Sequence, residues 1–386
     1  MIKNLKLFAL LLGTIAAITT LTAFTKSSTL HKKTGVVQPK IQAAILLDVS
    51  GSMDGLIEQA KAQLWNMVST MTKAKCSNDV TPQIEIALYE YGRTTNDVAK
   101  GYVKQLSGFT NDLDSLSKLL FNLKTNGGDE FCGQVIKSCL DELAWEAAPE
   151  NYKVIFIAGN EDFLQGTIKY TEACEIARKK GVIVNTIYCG PKAQGIAEHW
   201  NLLGECGSGS FTNINQNDKI DDIPTPYDSL LITLDGRLNN TYLAYNSFGN
   251  SKLQEVVLVD KMNASMSKSA AIKRGKVKGN SNVYNKASWD LIDAKEKDKN
   301  VIAKLDRAAL PDSLKRKTNE ELEKLVDEKS KQRSATQKQI VELNTKRDAY
   351  IAAERVKNAT NKTTNMETEV ERIIKEQAKR YKMIVQ

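Results

Sequence analysis

Histidine is scarce in this chain, and no two cysteines stand in a Cys-x-x-Cys pair. The 386 residues include 2 histidines, His31 and His199. A Ser-His-Asp hydrolase needs a positioned histidine, and only His199 lies in a segment expected to fold, so this class is poorly supported. Closely spaced cysteines and further histidines are the usual ligands of structural zinc, so their absence argues against a zinc site.

Long apolar runs are confined to the N-terminus. An uncharged run from Leu7 to Thr25 follows Lys3 and Lys6, which is the pattern of an export signal. Cleavage near Ala23 is one outcome, and an uncleaved anchor is the alternative, because the run is nearly long enough to span a bilayer. We therefore predict a signal peptide or anchor over 1–25, a linker over 26–40, and a periplasmic, secreted or envelope-associated protein.

The cysteine count fits an exported protein. Six cysteines allow up to three disulfides, in any of 15 pairings. They are Cys76, Cys132, Cys139, Cys174, Cys189 and Cys206.

Positive charge is concentrated in the second half. Residues 1–221 contain 22 Lys and Arg against 23 Asp and Glu, whereas residues 222–386 contain 32 against 23. The excess includes the stretches Lys273–Asn280 and Leu314–Lys317. Outside the cytoplasm, a basic half favours contact with anionic envelope surfaces over nucleic acid; solvated helix faces are the alternative.

Strand-like and helix-like patterns alternate over 41–221. The stretch "IQAAILLD" is a continuous apolar run, which is typical of a parallel strand buried on both faces. Repeated alternation predicts an α/β domain with a doubly wound, mostly parallel sheet. Ligands bind such sheets beyond the carboxyl ends of the strands.

Three oxygen-bearing residues follow that first strand. Asp48, Ser50 and Ser52 alternate along the turn, so their side chains can converge on one point. Hard oxygen ligands suit Mg²⁺ better than zinc or copper, with Mn²⁺ or Ca²⁺ as further options. The alternative is that Ser52 or Asp54 only caps the following helix.

The segment 42–216 resembles a von Willebrand factor type A domain. The resemblance rests on the Asp-x-Ser-x-Ser motif within "DVSGSM" after the first strand, which is the first element of the family's metal-ion-dependent adhesion site. The resemblance implies two further metal-site loops. In the first, "TNGGDEF", Asp129 stands where the family usually has a threonine, with Thr125 upstream and Glu130 next to it. In the second, Asn160 stands where an aspartate is usual, followed by Glu161 and Asp162.

The resemblance implies metal-dependent protein recognition of the adhesion type. In such sites one coordination position is left to water, which the carboxylate of a protein partner replaces. We expect Asp129 or Asn160 to complete the shell around the cation, directly or through water, and we expect no enzyme activity. The alternatives are a structural envelope protein with a vestigial metal site and an Mg²⁺-dependent hydrolase.

Two cysteines are expected at the same edge of the sheet. Cys132 opens a helix just after "GGDE", and Cys189 ends the strand "VIVNTIYC". A disulfide between Cys132 and Cys189 is therefore a further prediction.

The remainder of the chain reads as two regions. Residues 222–310 lack a clear period and are predicted as an irregular basic linker region. Residues 311–386 are predicted as a charged helical region. Within it, a sparse apolar stripe over 318–357 predicts a long helix that packs on the type A domain or on a second copy, without the strict heptads of a coiled coil. The alternative is a solvated tail.

Overall fold

The structure is a computed structural model that describes residues 38–76, 80–206, 208–214, 223–357 and 366–385. The predicted leader over 1–25 and most of the predicted linker lie outside these ranges. Among the residues described, no helix is both long and apolar enough to cross a membrane.

A six-stranded sheet forms the centre of the described chain. Its strands are β1 (Lys40–Asp48), β3 (Gln83–Tyr91), β4 (Lys104–Thr110), β5 (Tyr152–Gly159), β6 (Ile183–Cys189) and β7 (Phe211–Ile214). The spatial order is β4-β3-β1-β5-β6-β7, and every pair is parallel except β3 with β4. Two short strands, β2 (Ala74–Lys75) and β8 (Ile384–Val385), pair separately.

The order of the sheet fixes where a ligand can bind. Strand β1 lies between β3 and β5, and the chain reverses its direction of winding there. The carboxyl ends of the strands at such a reversal form a crevice. Asp48 is the last residue of β1 and lies opposite Tyr91 of β3, so it lies in that crevice.

Helices cover both faces of the sheet, which confirms the predicted fold class. In the first part of the chain they are α1 (Asp54–Thr72), α2 (Leu113–Phe121), α3 (Cys132–Glu142), α4 (Tyr170–Lys180), α5 (Lys192–Ala197) and α6 (Asn201–Cys206). One core cluster contains the inner faces of α1 and α2, and a second contains those of α3, α4 and α6. Helix α4 is capped at its C-terminus by Gly181, whose φ of 64° lies in the left-handed region.

The region 222–310 is not irregular, so that prediction is wrong for its described residues. It forms α7 (Asp228–Asn239), α8 (Gly249–Met266), α9 (Lys268–Lys278) and α10 (Leu291–Lys297). These helices bury apolar side chains in the core clusters and also form buried ion pairs. Arg274 contacts Asp114 at 2.7 Å and Asp260, and it lies over the ring of Trp65. Because charged residues such as Arg274 occupy buried positions, the apolar residues of these helices do not show a clear helical period in the sequence.

Much of the basic stretch Lys273–Asn280 is therefore turned inward. Lys278 is buried and contacts Asp235 at 2.7 Å and Asp260 at 2.8 Å. Its charge, like that of Arg274, is neutralised inside the chain. Of the two basic stretches, only Leu314–Lys317 keeps exposed cations, at Lys315 and Arg316.

The long predicted helix is present and packs within the chain. After the short α11 (Asp312–Lys315), α12 runs over Asn319–Lys357, 39 residues without a break. Its apolar residues meet α10 at one end and α7 in the middle. The apolar stripe of α12 is interrupted around Arg333. The Arg333 side chain is buried there and contacts Asp290 at 2.6 Å and Asp293 at 2.7 Å.

The C-terminal helix belongs to the core of the sheet domain. Helix α13 (Met366–Ala378) buries Val370, Ile373 and Ile374 in the same cluster as α1. The Gln377 side chain accepts a hydrogen bond from the Tyr152 hydroxyl of β5 at 2.9 Å. The predicted boundaries, 41–221 for the domain and 311–386 for a separate helical region, therefore leave out a helix that the domain needs.

Candidate metal centre

The turn after β1 brings its three predicted ligands together. Asp48 is fully buried, Ser50 is buried, and Ser52 is exposed. The backbone N–H of Ser50 donates a hydrogen bond to Asp48 Oδ1 at 2.7 Å, and the hydroxyls of Ser50 and Ser52 lie 3.1 Å apart. Because exposure increases from Asp48 to Ser52, the group opens toward solvent at Ser52.

The loop after β5 contributes Asn160 to this group. Ser52 Oγ donates a hydrogen bond to Asn160 Oδ1 at 3.0 Å. Asp162 is directed elsewhere, because its Oδ1 lies 3.0 Å from His199 Nδ1 and accepts a hydrogen bond from the Leu164 N–H at 3.0 Å. The loop therefore offers Asn160 to the site and uses Asp162 to fix its own conformation.

In the loop before α3, Glu130 is the acid that faces Asp48. Glu130 is buried, and a methyl group built on Gly92 would lie 2.8 Å from Asp48 Oδ1 and 3.0 Å from Glu130 Cγ. Asp129 is exposed, and the Thr125 hydroxyl donates to Asp54. Of this loop's candidates, the structure brings Glu130 to Asp48.

Glycines let the three loops approach closely. Gly92 has a φ of 80°, in the left-handed region that favours glycine, and it separates Asp48 from Glu130. A methyl group on Gly159 would lie 2.6 Å from the Tyr91 hydroxyl and 3.1 Å from Asp48 Oδ2. A side chain at either glycine would therefore collide with the Asp48 carboxylate or its neighbours.

The electrostatics of the group are unbalanced. Burial raises the pKa of Asp48 to about 7, despite hydrogen bonds from Ser50. Burial, followed by repulsion from the carboxylates of Asp48 and Glu161, raises the pKa of Glu130 to about 7. Glu161 is not among the predicted ligands, although its place directly after Asn160 at a strand end is a signal for one. Acidic groups thus accumulate here, and no cation of the described residues contributes to the pKa of Asp48 or of Glu130.

One buried oxygen has no partner in the described structure. Asp48 Oδ2 is shielded from solvent and has no hydrogen-bond partner of normal geometry. The Asn160 backbone N–H lies near the Asp48 carboxyl and lowers its pKa, but less than burial raises it. An unsatisfied buried acceptor costs about 1–3 kcal/mol, more when it is charged. A divalent cation would satisfy this oxygen and offset the neighbouring charges, so the residues present fit a metal ion.

The donor set is mixed. Within the described ranges, no three or more His, Cys, Asp or Glu side chains are placed to hold a metal ion among themselves. The hydroxyls of Ser50 and Ser52 and the amide oxygen of Asn160 would therefore have to serve as ligands beside the carboxylates. That chemistry suits a hard cation.

The predicted disulfide between Cys132 and Cys189 is not formed. Both thiols are buried and free. Cys132 Sγ lies 3.8 Å from the Tyr91 hydroxyl, which donates a hydrogen bond to the Ala158 carbonyl at 3.0 Å. Both cysteines serve as small buried side chains next to the site, while Cys174 is disulfide-bonded.

Comparisons with known proteins find similar solved structures that include type A domains. No protein-family profile and no curated protein matches it. Among solved structures, the SpRpn10 VWA domain is 14% identical, with 47% of this chain and 90% of that chain covered and a TM-score of 0.36. BatB from Bacteroides thetaiotaomicron is 13% identical, with 45% and 90% covered and a TM-score of 0.35.

A protein of the mussel byssus is also similar. Proximal thread matrix protein 1, in a structure described as having a zinc-occupied MIDAS motif, is 14% identical, with 47% of this chain covered and a TM-score of 0.34. The match spans 43% of the length of that protein. Similarity at this level bears on the fold alone.

The strand order and the Asp-x-Ser-x-Ser turn at the end of the first strand are those of a doubly wound α/β domain that is similar to von Willebrand factor type A domains. The resemblance found in the sequence is therefore confirmed at the level of the fold. The metal site remains a prediction.

Proposed function

We propose that this chain is a metal-dependent protein-recognition module of the cell envelope. The proposal rests on the buried, unpartnered Oδ2 of Asp48, which lies at the carboxyl ends of the strands among further acidic groups. Asp48, Ser50 and Ser52 would hold one divalent cation. Glu130 and Asn160 would complete the shell, directly or through water.

Magnesium is the cation that this donor set favours. All five candidate ligands offer carboxylate, hydroxyl or amide oxygens, which are hard donors. Manganese and calcium share this preference and are the other candidates. The cation would also offset the burial and the neighbouring carboxylates that together raise the pKa of Asp48 and of Glu130.

The solvent-accessible side of the site determines which group of a partner can reach the cation. Ser52 is exposed and Asn160 is half-buried, so a coordination position on that side is accessible from solvent. The carboxylates of Asp48 and Glu130 together balance a divalent cation. An acidic side chain of a protein partner can then replace a water on the ion. We propose binding without turnover.

The basic C-terminal half supplies a second, weaker contact. Its exposed cations, which include Lys315 and Arg316, are suited to an anionic envelope surface. The inward-facing cations Arg274 and Lys278 are excluded from this role, because they are buried in ion pairs with this chain's own acids.

Short peptides that each carry one aspartate or glutamate test the function. Binding to the full chain is measured by fluorescence anisotropy with Mg²⁺ and with a chelator, against matched peptides carrying asparagine or glutamine. We expect binding only with Mg²⁺, only to the acidic peptides, and not to Asp48→Ala. Peptide binding that is insensitive to both chelator and Asp48→Ala contradicts the proposal and favours a vestigial site in a structural protein.

A further inference from the structure

Four helices enclose a second polar cleft, remote from the metal centre. The last turns of α1, with α9, α12 and α13, surround a volume of about 170 Å³. Helix α1 begins at Asp54 beside the metal centre and runs 19 residues to Thr72, which is about 27 Å of helix. Any ligand of this cleft is therefore separate from the metal ion.

Cationic side chains outnumber acidic ones around the cleft. The cations are Lys73, Lys273, Lys276, Arg347 and Arg355, and the acids are Asp348, Glu367 and Glu371. Arg347 is paired with Asp228 at 2.9 Å, Lys273 with Glu367 at 2.5 Å, and Glu371 with Lys375 at 2.9 Å. Arg355 lies 3.8 Å from the same Glu367 carboxylate. The remaining lining groups include the neutral side chains of Asn66, Ser69, Thr70 and Asn344.

Two lysines share one carboxylate oxygen. Lys276 Nζ lies 2.7 Å from Asp348 Oδ2, and Lys73 Nζ lies 4.0 Å from the same oxygen. Burial lowers the pKa of Lys73, and the Lys276 ammonium lowers it further. Lys375 also repels Lys73, while Asp348 and Glu371 attract it. The positive charge of Lys73 is thus only partly compensated.

We propose that this cleft binds a phosphate group. Two ammonium groups that face one carboxylate are stabilised by a further anion between them, and lysine is an established phosphate ligand. The hydroxyls and amides of α1 that line the same volume suit an anion with several oxygens. Such a group can belong to free phosphate or to the headgroup of an anionic lipid.

The proposal does not depend on the metal centre, so it is tested with chelator present. Binding of inorganic phosphate to the full chain is measured by calorimetry and by thermal shift, with chloride replacing phosphate at equal ionic strength. Vesicles of phosphatidylglycerol form a second arm, measured by co-sedimentation. Lys73→Gln and Lys276→Gln are the test variants, and Lys192→Gln, on an exposed turn of α5, is the control.

We expect phosphate to bind wild type and Lys192→Gln equally, and to bind each test variant about tenfold or more weakly. Without phosphate, Lys73→Gln should be no less stable than wild type, because a repelling charge has been removed. Vesicle binding that needs Lys73, without any effect of free phosphate, would identify a lipid headgroup as the source. Absence of binding in both arms by the wild type, or binding unchanged in both test variants, overturns the proposal.

Discussion

Replacing Asp48 by asparagine separates the cost of a buried charge from its use as a ligand. Asparagine keeps the oxygen that accepts the Ser50 N–H and replaces the oxygen that has no partner with an uncharged NH2 group, which can donate to the neighbouring acids. Without metal, the variant should be more stable than the wild type at pH 8. With Mg²⁺, the order should reverse, because only the wild type gains stability from the ion.

The magnitude follows from the pKa of Asp48, which burial raises from about 3.8 to about 7. A difference of about three units corresponds to about 4 kcal/mol, an upper limit because Glu130 shares the effect. A folded-state pKa above the unfolded one means that the protonated form stabilises the metal-free protein at low pH. That contribution is present in full below about pH 4 and is lost as the pH rises to about 7.

Urea denaturation with chelator tests this at pH 8 and at pH 4.5. We expect Asp48→Asn to exceed the wild type by about 1–4 kcal/mol at pH 8 and by much less at pH 4.5. Asp162→Asn is the matched control, since its carboxylate bonds to His199 outside the site, and it should show no such gain. A metal-free Asp48→Asn protein that is less stable than wild type at pH 8 would refute the reasoning.

Three further outcomes are expected. Glu130→Gln should weaken Mg²⁺ binding by about tenfold or more, whereas Asp129→Asn should leave it nearly unchanged; equal losses in calorimetry would show that the wrong acid has been assigned. Gly92→Ala should lower the unfolding free energy by about 1–3 kcal/mol and abolish metal binding, since its φ is 80° and its methyl group would meet Asp48. Gly127→Ala is its control, because a methyl group at Gly127 would meet no atom within 4 Å. Equal losses of stability and metal binding in the two variants would contradict the geometry. Ile373→Ala in α13 should destabilise the whole sheet domain by about 2–5 kcal/mol in urea, and a change confined to the C-terminal helix signal would argue against a shared core.

The sheet could be predicted from the sequence because each strand bears its own apolar run. Strand β5 is buried throughout, and β1 is buried over nearly its whole length, so a local pattern suffices. The long α12 was equally visible, since its charged residues and sparse stripe are local features as well. Its gap at Arg333 has a cause that the sequence does not reveal, a buried pair with Asp290 some forty residues earlier in the chain.

Long-range contacts explain what the sequence left open. Helix α13 joins the core of strands that lie about two hundred residues before it, for example through Gln377 and Asn185. No local period predicts such a contact. The choice of Glu130 over Asp129 depends on the direction of two neighbouring side chains in an irregular loop. Loops have no repeat from which that direction follows.

Direct titration of the purified chain with Mg²⁺ at pH 8 is the measurement that decides whether the metal centre exists. Calorimetry should show one ion bound per wild-type chain, no binding to Asp48→Ala, and normal binding to Asp162→Asn, each variant being checked for folding by circular dichroism. Equal binding by the wild type and Asp48→Ala, or no binding by a folded wild-type protein, would contradict a metal-dependent site at the end of β1.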